Sequence, residues 1–374
     1  MSACVLLAVP LSSRVLGLAP PAAPGENRLP AERPSIPRSW ADLTAFPQRF
    51  EAYFKDTFGF RQAFITLNSL YKVFVWNRSP NSKVLFGRDG WLYYTGSQAQ
   101  LLSFRPPLTR EQLEALNRNV VQAGRYFSEQ SVRFVFVVAP DKQAIYPEYL
   151  PEPQRTWQEK PAYARFLRYA RRHGAGEFMV DLHEPLRRAK RPDWRVFHYM
   201  DTHWNAHGAY TGYRAIVEHL RTTHPQVGHP RPLSDFLVKV SSFEGDIVQS
   251  MLSLSGWISE EIEELVPKGP ARFLQTVITE RYRGLAIKRP VIETSSDFTQ
   301  RPRAVIIHDS QFNALLNFIP EHFSHAVYVH KAEDPLVTRC IIARSAPDLV
   351  LYETIERDLP ALVKQPLPAG PCPD

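Results

Sequence analysis

Asp201 and His203 stand two residues apart in the run Asp201-Thr202-His203-Trp204-Asn205. In an extended backbone their side chains leave the same side. A carboxylate so placed accepts the ring N–H of the neighbouring imidazole and leaves the other nitrogen free. That is the orienting and proton-accepting half of a hydrolase-type triad. The third member would be a serine at a strand-to-helix turn, and Asp309-Ser310-Gln311 offers one after the strand Ala304–Ile307. Amides at the start of the following helix can face a developing oxyanion. With twelve histidines in 374 residues, an Asp-x-His by itself carries little weight. His203 and His207 have the i,i+4 spacing of a metal pair, but the glutamate of H-E-x-x-H is missing and no third ligand is evident. No metal and no cofactor are expected.

Elements that could position these residues are legible on either side. Asn205 reads as an N-cap to a helix over 206–220, whose apolar positions Tyr210, Tyr213, Ile216, Val217 and Leu220 recur at helical spacing. Upstream, a helix over 108–130 with Thr109 as N-cap feeds the apolar run 132–138, a central parallel strand by composition. Ligands bind at the carboxyl edge of such sheets, which makes Lys142 and Tyr146 candidate substrate contacts, with Gln311 beside the serine a third. Further helices are expected over 162–172 and 336–343, and from Thr354 onward. Further strands are expected over 178–182, 326–329 and 349–352. This alternation predicts an α/β fold, a three-layer sandwich around a mainly parallel sheet of flavodoxin-like type, with insertions.

Residues 1–38 read as the remnant of a signal peptide or signal anchor followed by a Pro-rich linker, and residues 39–374 as the folded domain. Two aromatic-faced helices are expected between Phe46 and Tyr71, broken near Gly59, the aromatic stripe being core. A hairpin is expected over 84–94. The stretch 221–300 is expected as an insertion, with an acidic helix near Glu260–Leu265 and a strand over 273–279.

The net charge of +7 allows polyanionic partners. No zinc-finger, helix-turn-helix or RNA-binding signature accompanies it, so nucleic acid is not expected. Arg187, Arg188, Lys190, Arg191 and Arg195 precede the Asp-x-His and could guide an anionic acceptor. Three cysteines do not make a disulfide framework. Cys340 and Cys372 could pair, but Cys340 sits in an apolar run and reads as a small core residue.

Taken in order, Phe46-Pro47, residues 54–61, 85–94 and 140–148, Asp201–Trp204 with Gly208-Ala209, and Asp309-Ser310 resemble the SGNH-hydrolase-like domain of alginate O-acetyltransferases of the AlgX and AlgJ type. The resemblance covers roughly residues 40–360. It implies Ser310 as nucleophile, His203 as base and Asp201 as its orienter, with the amide of Ser310 or Gln311 serving the oxyanion. It also implies a periplasmic, membrane-associated enzyme, tethered by an N-terminal signal anchor or complexed with export machinery. Such an enzyme takes acetyl groups relayed by a membrane-bound acyltransferase and places them on an exopolysaccharide. One departure stands out: the family's Gly-Asp-Ser turn has His308 at the glycine position. A carbohydrate acetylesterase and a non-catalytic polysaccharide-binding scaffold are the alternatives.

Overall fold

The computed structural model describes residues 31–57, 61–96, 108–152, 162–282 and 284–372. The expected signal segment, most of the Pro-rich linker and the break at Gly59 lie outside the described residues. No described helix is long and apolar enough to cross a membrane.

The described residues divide into two compact units, those up to Leu85 with Glu244–Ser259, and Phe86–Phe243 with those from Glu260 onward. The first contains helices α1 (Trp40–Thr57) and α2 (Arg61–Leu70), with a π turn over Tyr71–Val75. Thr66 Oγ1 donates to the Ser253 carbonyl and Asn81 Nδ2 to that of Met251, each at 3.0 Å. These bonds hold the two stretches of chain together. The aromatic stripe read as core is largely at the surface: Phe50, Phe64, Tyr71 and Phe74 are all exposed. Periodicity reports which residues share a face, not what covers it.

Strands β1 (Val84–Phe86) and β2 (Leu92–Tyr94) form where the hairpin is expected. The second unit is built on a seven-stranded sheet. Its members are β3 (Arg133–Ala139), β4 (Met179–Asp181), β7 (Phe273–Val277), β8 (Ile292–Ser296), β9 (Arg303–His308), β10 (His325–His330) and β11 (Leu349–Ile355). The spatial order is β4-β3-β11-β9-β10-β8-β7. The first five are mutually parallel, and β8 runs antiparallel to both its neighbours. Alternate residues of the central strands, Phe134, Phe136 and Val138 with Val305, Ile307, Val350 and Tyr352, join one apolar core. Helices α3 (Arg110–Glu129), α4 (Ala162–Arg172) and α6 (Pro335–Ser345) pack into it. The intervening residues Val135, Val137, Ile306 and Leu351 are equally buried. Helix α5 (Ala206–Arg221), with Tyr213, Ile216, Val217 and Leu220 buried, packs against β4 and the helical turns Ser310–Asn317. Both faces are thus sealed, as a parallel sheet requires. The α/β class with a mainly parallel sheet is what the alternation predicts.

Residues 221–300 contribute β7 and β8 to the sheet. They also supply a separate antiparallel ladder of β5 (Phe236–Phe243) with β6 (Glu260–Pro267). The acidic helix expected near Glu260 is therefore a strand. Pairing with β5 along its whole length overrides the helix preference of its glutamates. The helix expected from Thr354 is also corrected. Strand β11 continues to Ile355, and among the described residues a 3-10 turn, Glu356–Asp358, and a short helix, Ala361–Lys364, follow. Cys340 is not a free core thiol. It is buried and disulfide-bonded to Cys372, a partner 32 residues on that spacing alone does not select.

Candidate active site

The loop after Arg195 is closed on itself before it reaches α5. Phe197 and Trp204 form an isolated antiparallel bridge, and Asn205 N–H donates to Val196 O at 3.3 Å. Asn205 then caps α5, its Oδ1 accepting from Gly208 N–H at 3.0 Å. Gly208 is required by space. A Cβ there would lie 2.0 Å from Val196 O, so only glycine lets the loop close on the helix.

Within this loop Asp201 and His203 are not extended as their spacing suggested. A tight turn does the work instead. Asp201 Oδ1 accepts the backbone N–H of His203 at 2.8 Å and its Nδ1–H at 2.6 Å. One carboxylate oxygen thus shapes the turn and selects the tautomer, leaving Nε2 free to accept a proton. His203 Nε2 lies 2.9 Å from Ser310 Oγ. Asp201 is buried, His203 half-buried and Ser310 exposed. That gradient suits a nucleophile reached from solvent and an orienting acid shielded from it. The structure therefore brings together all three residues singled out for chemistry.

Ser310 is held from below. Asp309 Oδ1 accepts the Gln311 amide at 2.9 Å; its Oδ2 accepts Ile355 N–H at 2.9 Å and Lys331 Nζ at 2.7 Å. The Asp309 amide in turn donates to Glu353 at 3.0 Å. Burial opposes ionisation of Asp309, but Lys331 and the backbone donors outweigh it and hold its pKa below the ordinary value. Burial, reinforced by the charge of Asp309, pushes Glu353 well above the usual carboxylate range. Lys331 also reaches Thr354 and Asp358, at 2.7 and 2.8 Å. Burial works against its charge, yet these acids raise its pKa. Neither Lys331 nor Glu353 was marked by the sequence. A lysine just past the end of a buried strand is the one available signal.

His308, at the family's glycine position, turns inward. Its ring packs on Phe312 and Tyr328, with Nδ1 donating to Asp309 O at 2.8 Å. Burial lowers its pKa, which favours the neutral ring. The serine turn accommodates it with the His203–Ser310 contact intact.

Lys142, Tyr146 and Gln311, expected to touch substrate, are all buried. Lys142 Nζ donates to the carbonyls of His198, Tyr199 and Asp201 at 3.2, 3.0 and 2.8 Å. The Tyr146 hydroxyl accepts Val196 N–H at 3.0 Å. Gln311 Nε2 donates to Thr202 O at 3.3 Å, tying the serine turn to the histidine loop. These side chains brace the site. The backbone N–H of Gln311, one of the two expected oxyanion donors, is spent on Asp309. His207 faces away from His203. It stacks on Trp194 at 3.7 Å and lies 3.0 Å from Glu263, so the i,i+4 pair converges on no common ligand.

Residues 84–264 match the family model described as SGNH hydrolase-like domain, acetyltransferase AlgX. The probable alginate O-acetylase AlgJ of Pseudomonas aeruginosa is 35% identical over 144 residues, covering 38% of this chain and 34% of that protein. The protein of the same name from Pseudomonas fluorescens is 28% identical over 165 residues, 44% of this chain and 40% of that one. The chain thus matches well under half the length of these relatives. Among solved structures, PatB1 of Bacillus cereus with a sulfonyl adduct shares the fold at a TM-score of 0.55. It is 17% identical, over 76% of this chain and 99% of that one. With Asp201 and His203 inside the matched span and Ser310 brought to them by the fold, residues 84–264 are similar to the SGNH hydrolase-like domain of the AlgX and AlgJ type.

Proposed function

We propose that this chain is an O-acetyltransferase that moves acetyl groups onto hydroxyls of an extracellular polysaccharide through an acetyl-serine on Ser310. The observation that carries the reading is the continuous chain Asp201–His203–Ser310, with contacts of 2.6 and 2.9 Å. The names of the two AlgJ relatives support acetylation as the chemistry. In the first half-reaction Ser310 Oγ attacks the acetyl carbonyl while His203 Nε2 takes its proton. The tetrahedral oxyanion is met by the Ser310 amide. Collapse expels the donor's leaving group, which receives the proton back from His203. In the second half, a sugar hydroxyl loses its proton to His203 and attacks the acetyl-serine carbonyl. Serine is then released with that proton restored. Asp201 holds the ring and balances the imidazolium in both halves.

The proposal includes a donor relayed by a membrane-bound acyltransferase and a periplasmic setting. The Cys340–Cys372 disulfide supports an oxidising compartment. Transfer is tested against hydrolysis by supplying an activated acetyl ester together with oligosaccharides. The expected result is acetylated sugar that requires Ser310. Free acetate alone, at every sugar concentration, identifies an esterase instead.

A further inference from the structure

The two reacting side chains are anchored to different strands. Ser310 follows β9, at two residues' remove. The loop of His203 is gripped by Lys142, just after β3, through the carbonyls of His198, Tyr199 and Asp201. Strand β11 lies between β3 and β9 in the sheet. A base and its nucleophile must be held to within about 0.5 Å. One tie joins the two loops directly, the 3.3 Å bond from Gln311 to Thr202. A second set of ties runs beneath, and no step above uses it.

Four consecutive residues supply it: Ile355, the last of β11, and the turn Glu356–Asp358. On the β3 side, Glu356 Oε2 accepts the Asp141 backbone N–H at 3.4 Å, and Arg357 Nη1 donates to Asp141 Oδ1 at 2.5 Å. Asp141 is thus held at its amide and its carboxylate, directly ahead of Lys142. On the β9 side, Ile355 N–H donates to Asp309 Oδ2 at 2.9 Å. Asp358 accepts Lys331 Nζ at 2.8 Å, the ammonium that also holds Asp309 at 2.7 Å. One short stretch of chain therefore grips the residue before Lys142 and the residue before Ser310. Glu356 is fixed in turn by His183 Nε2 and by Tyr163 N–H, each at 3.2 Å. Arg357 lies over the Tyr94 ring, 5.5 Å from its centroid. Asp141, Lys142 and Glu356 are all buried. Ions so buried add little stability over apolar side chains of like volume. What they supply is geometry, since charge-assisted bonds fix a direction as well as a distance.

Resting on the reading of Ser310 as a nucleophile activated by His203, we propose that Ile355–Asp358 is a clamp that sets the spacing of His203 Nε2 and Ser310 Oγ, with Arg357 as its positioning residue. Arg357 acts through Asp141 and Lys142 on the histidine loop, while Ile355 and Asp358 hold the serine turn in register with it.

The test removes the ion pair without orphaning a charge, by Asp141→Asn together with Arg357→Met. The rate constant of acylation by para-nitrophenyl acetate, read from the burst, is expected to fall about 100-fold. The half-saturating ester concentration is expected to stay within about twofold of wild type, since binding is not what the clamp serves. Arg357→Lys keeps the charge but gives up the planar group over Tyr94, and its acylation is expected to fall about tenfold. A folded double variant that is acylated within a few-fold of wild type, or that changes only in half-saturation, overturns the clamp. Should the double variant not fold, wild-type acylation of Arg357→Lys overturns it instead. The His203 ring gives a second readout that needs no turnover. With isotope-labelled histidine, its Nε2 resonance reports acceptance of the Ser310 hydroxyl, and Ser310→Ala supplies the value for the broken bond. The clamp variants are expected to move toward that value. If the wild type is never acylated, the transferase reading fails, and this resonance decides the clamp by itself. A folded clamp variant that keeps the wild-type resonance overturns it.

Discussion

A single oxygen, Asp201 Oδ1, carries two tasks. It accepts the His203 backbone N–H, which shapes the turn, and the ring N–H, which sets the tautomer. An amide side chain keeps the size but can present its NH₂ to the ring and stabilise the wrong tautomer. Asp201→Asn is therefore expected to lower turnover of an activated acetyl ester by about 10³–10⁴-fold with the protein still folded. Turnover within a few-fold of wild type would show that the carboxylate does not orient the base. At this scale the sequence was partly legible. An Asp-x-His is local, so its pairing could be read directly. Ser310 stands 107 residues beyond His203 and joined the set only through its turn context and the family resemblance. Lys142 was misread because its position at a strand end was visible and its inward direction was not. A long cationic side chain is usually solvated, and only three converging carbonyls make burial tolerable here.

The serine turn depends on groups gathered from three strand ends: Asp309 after β9, Lys331 after β10, and Glu353 and Thr354 on β11. Removing the cation would leave Asp309 buried beside Glu353 with its main counter-charge gone. Lys331→Met is expected to cost about 3–5 kcal/mol in denaturant unfolding, as the loss of one partner from a buried pair does. A change below about 1 kcal/mol would mean that the backbone donors alone suffice. The caps were readable because each is local: Thr109 with Gln112, and Asn205 with Gly208. Strand β6 was not, since its identity comes from a partner some twenty residues earlier in the chain. The strand-end network was invisible for the same reason. Its members share no spacing, only a sheet edge.

Over the whole molecule, two features reach beyond the site. His322, in the turn before β10, is buried against α5 and the turn that follows that helix, accepting from the Tyr213 hydroxyl at 2.7 Å and donating Nδ1–H to Val227 O at 2.8 Å. Burial depresses its pKa from 6.5 to about 4. The unfolded chain therefore binds a proton below about pH 6.5 that the folded chain refuses until about pH 4. Stability is full above the higher value and shrinks as pH falls through the interval, by at most about 3–4 kcal/mol from this group. His322→Gln should flatten that part of a plot of Tm against pH; an unaltered slope would exclude His322 as its source. The Cys340–Cys372 bond ties the C-terminal segment to α6. Its reduction should lower stability by about 2–4 kcal/mol, read as a drop in Tm with reductant that Cys372→Ser reproduces and reductant does not deepen. An unchanged Tm would mean that the segment is held without it.

The fold class was legible because alternating strand and helix patterns extend over most of the second unit. Side-chain direction was much less so, because it is settled by what packs above and below. All of these scales meet in one covalent event. Intact-protein mass spectrometry after brief exposure to an activated acetyl ester should show the added mass of one acetyl group, mapped to Ser310 and absent from Ser310→Ala. Folded wild-type protein that never gains it, or gains it equally in Ser310→Ala, would contradict the account.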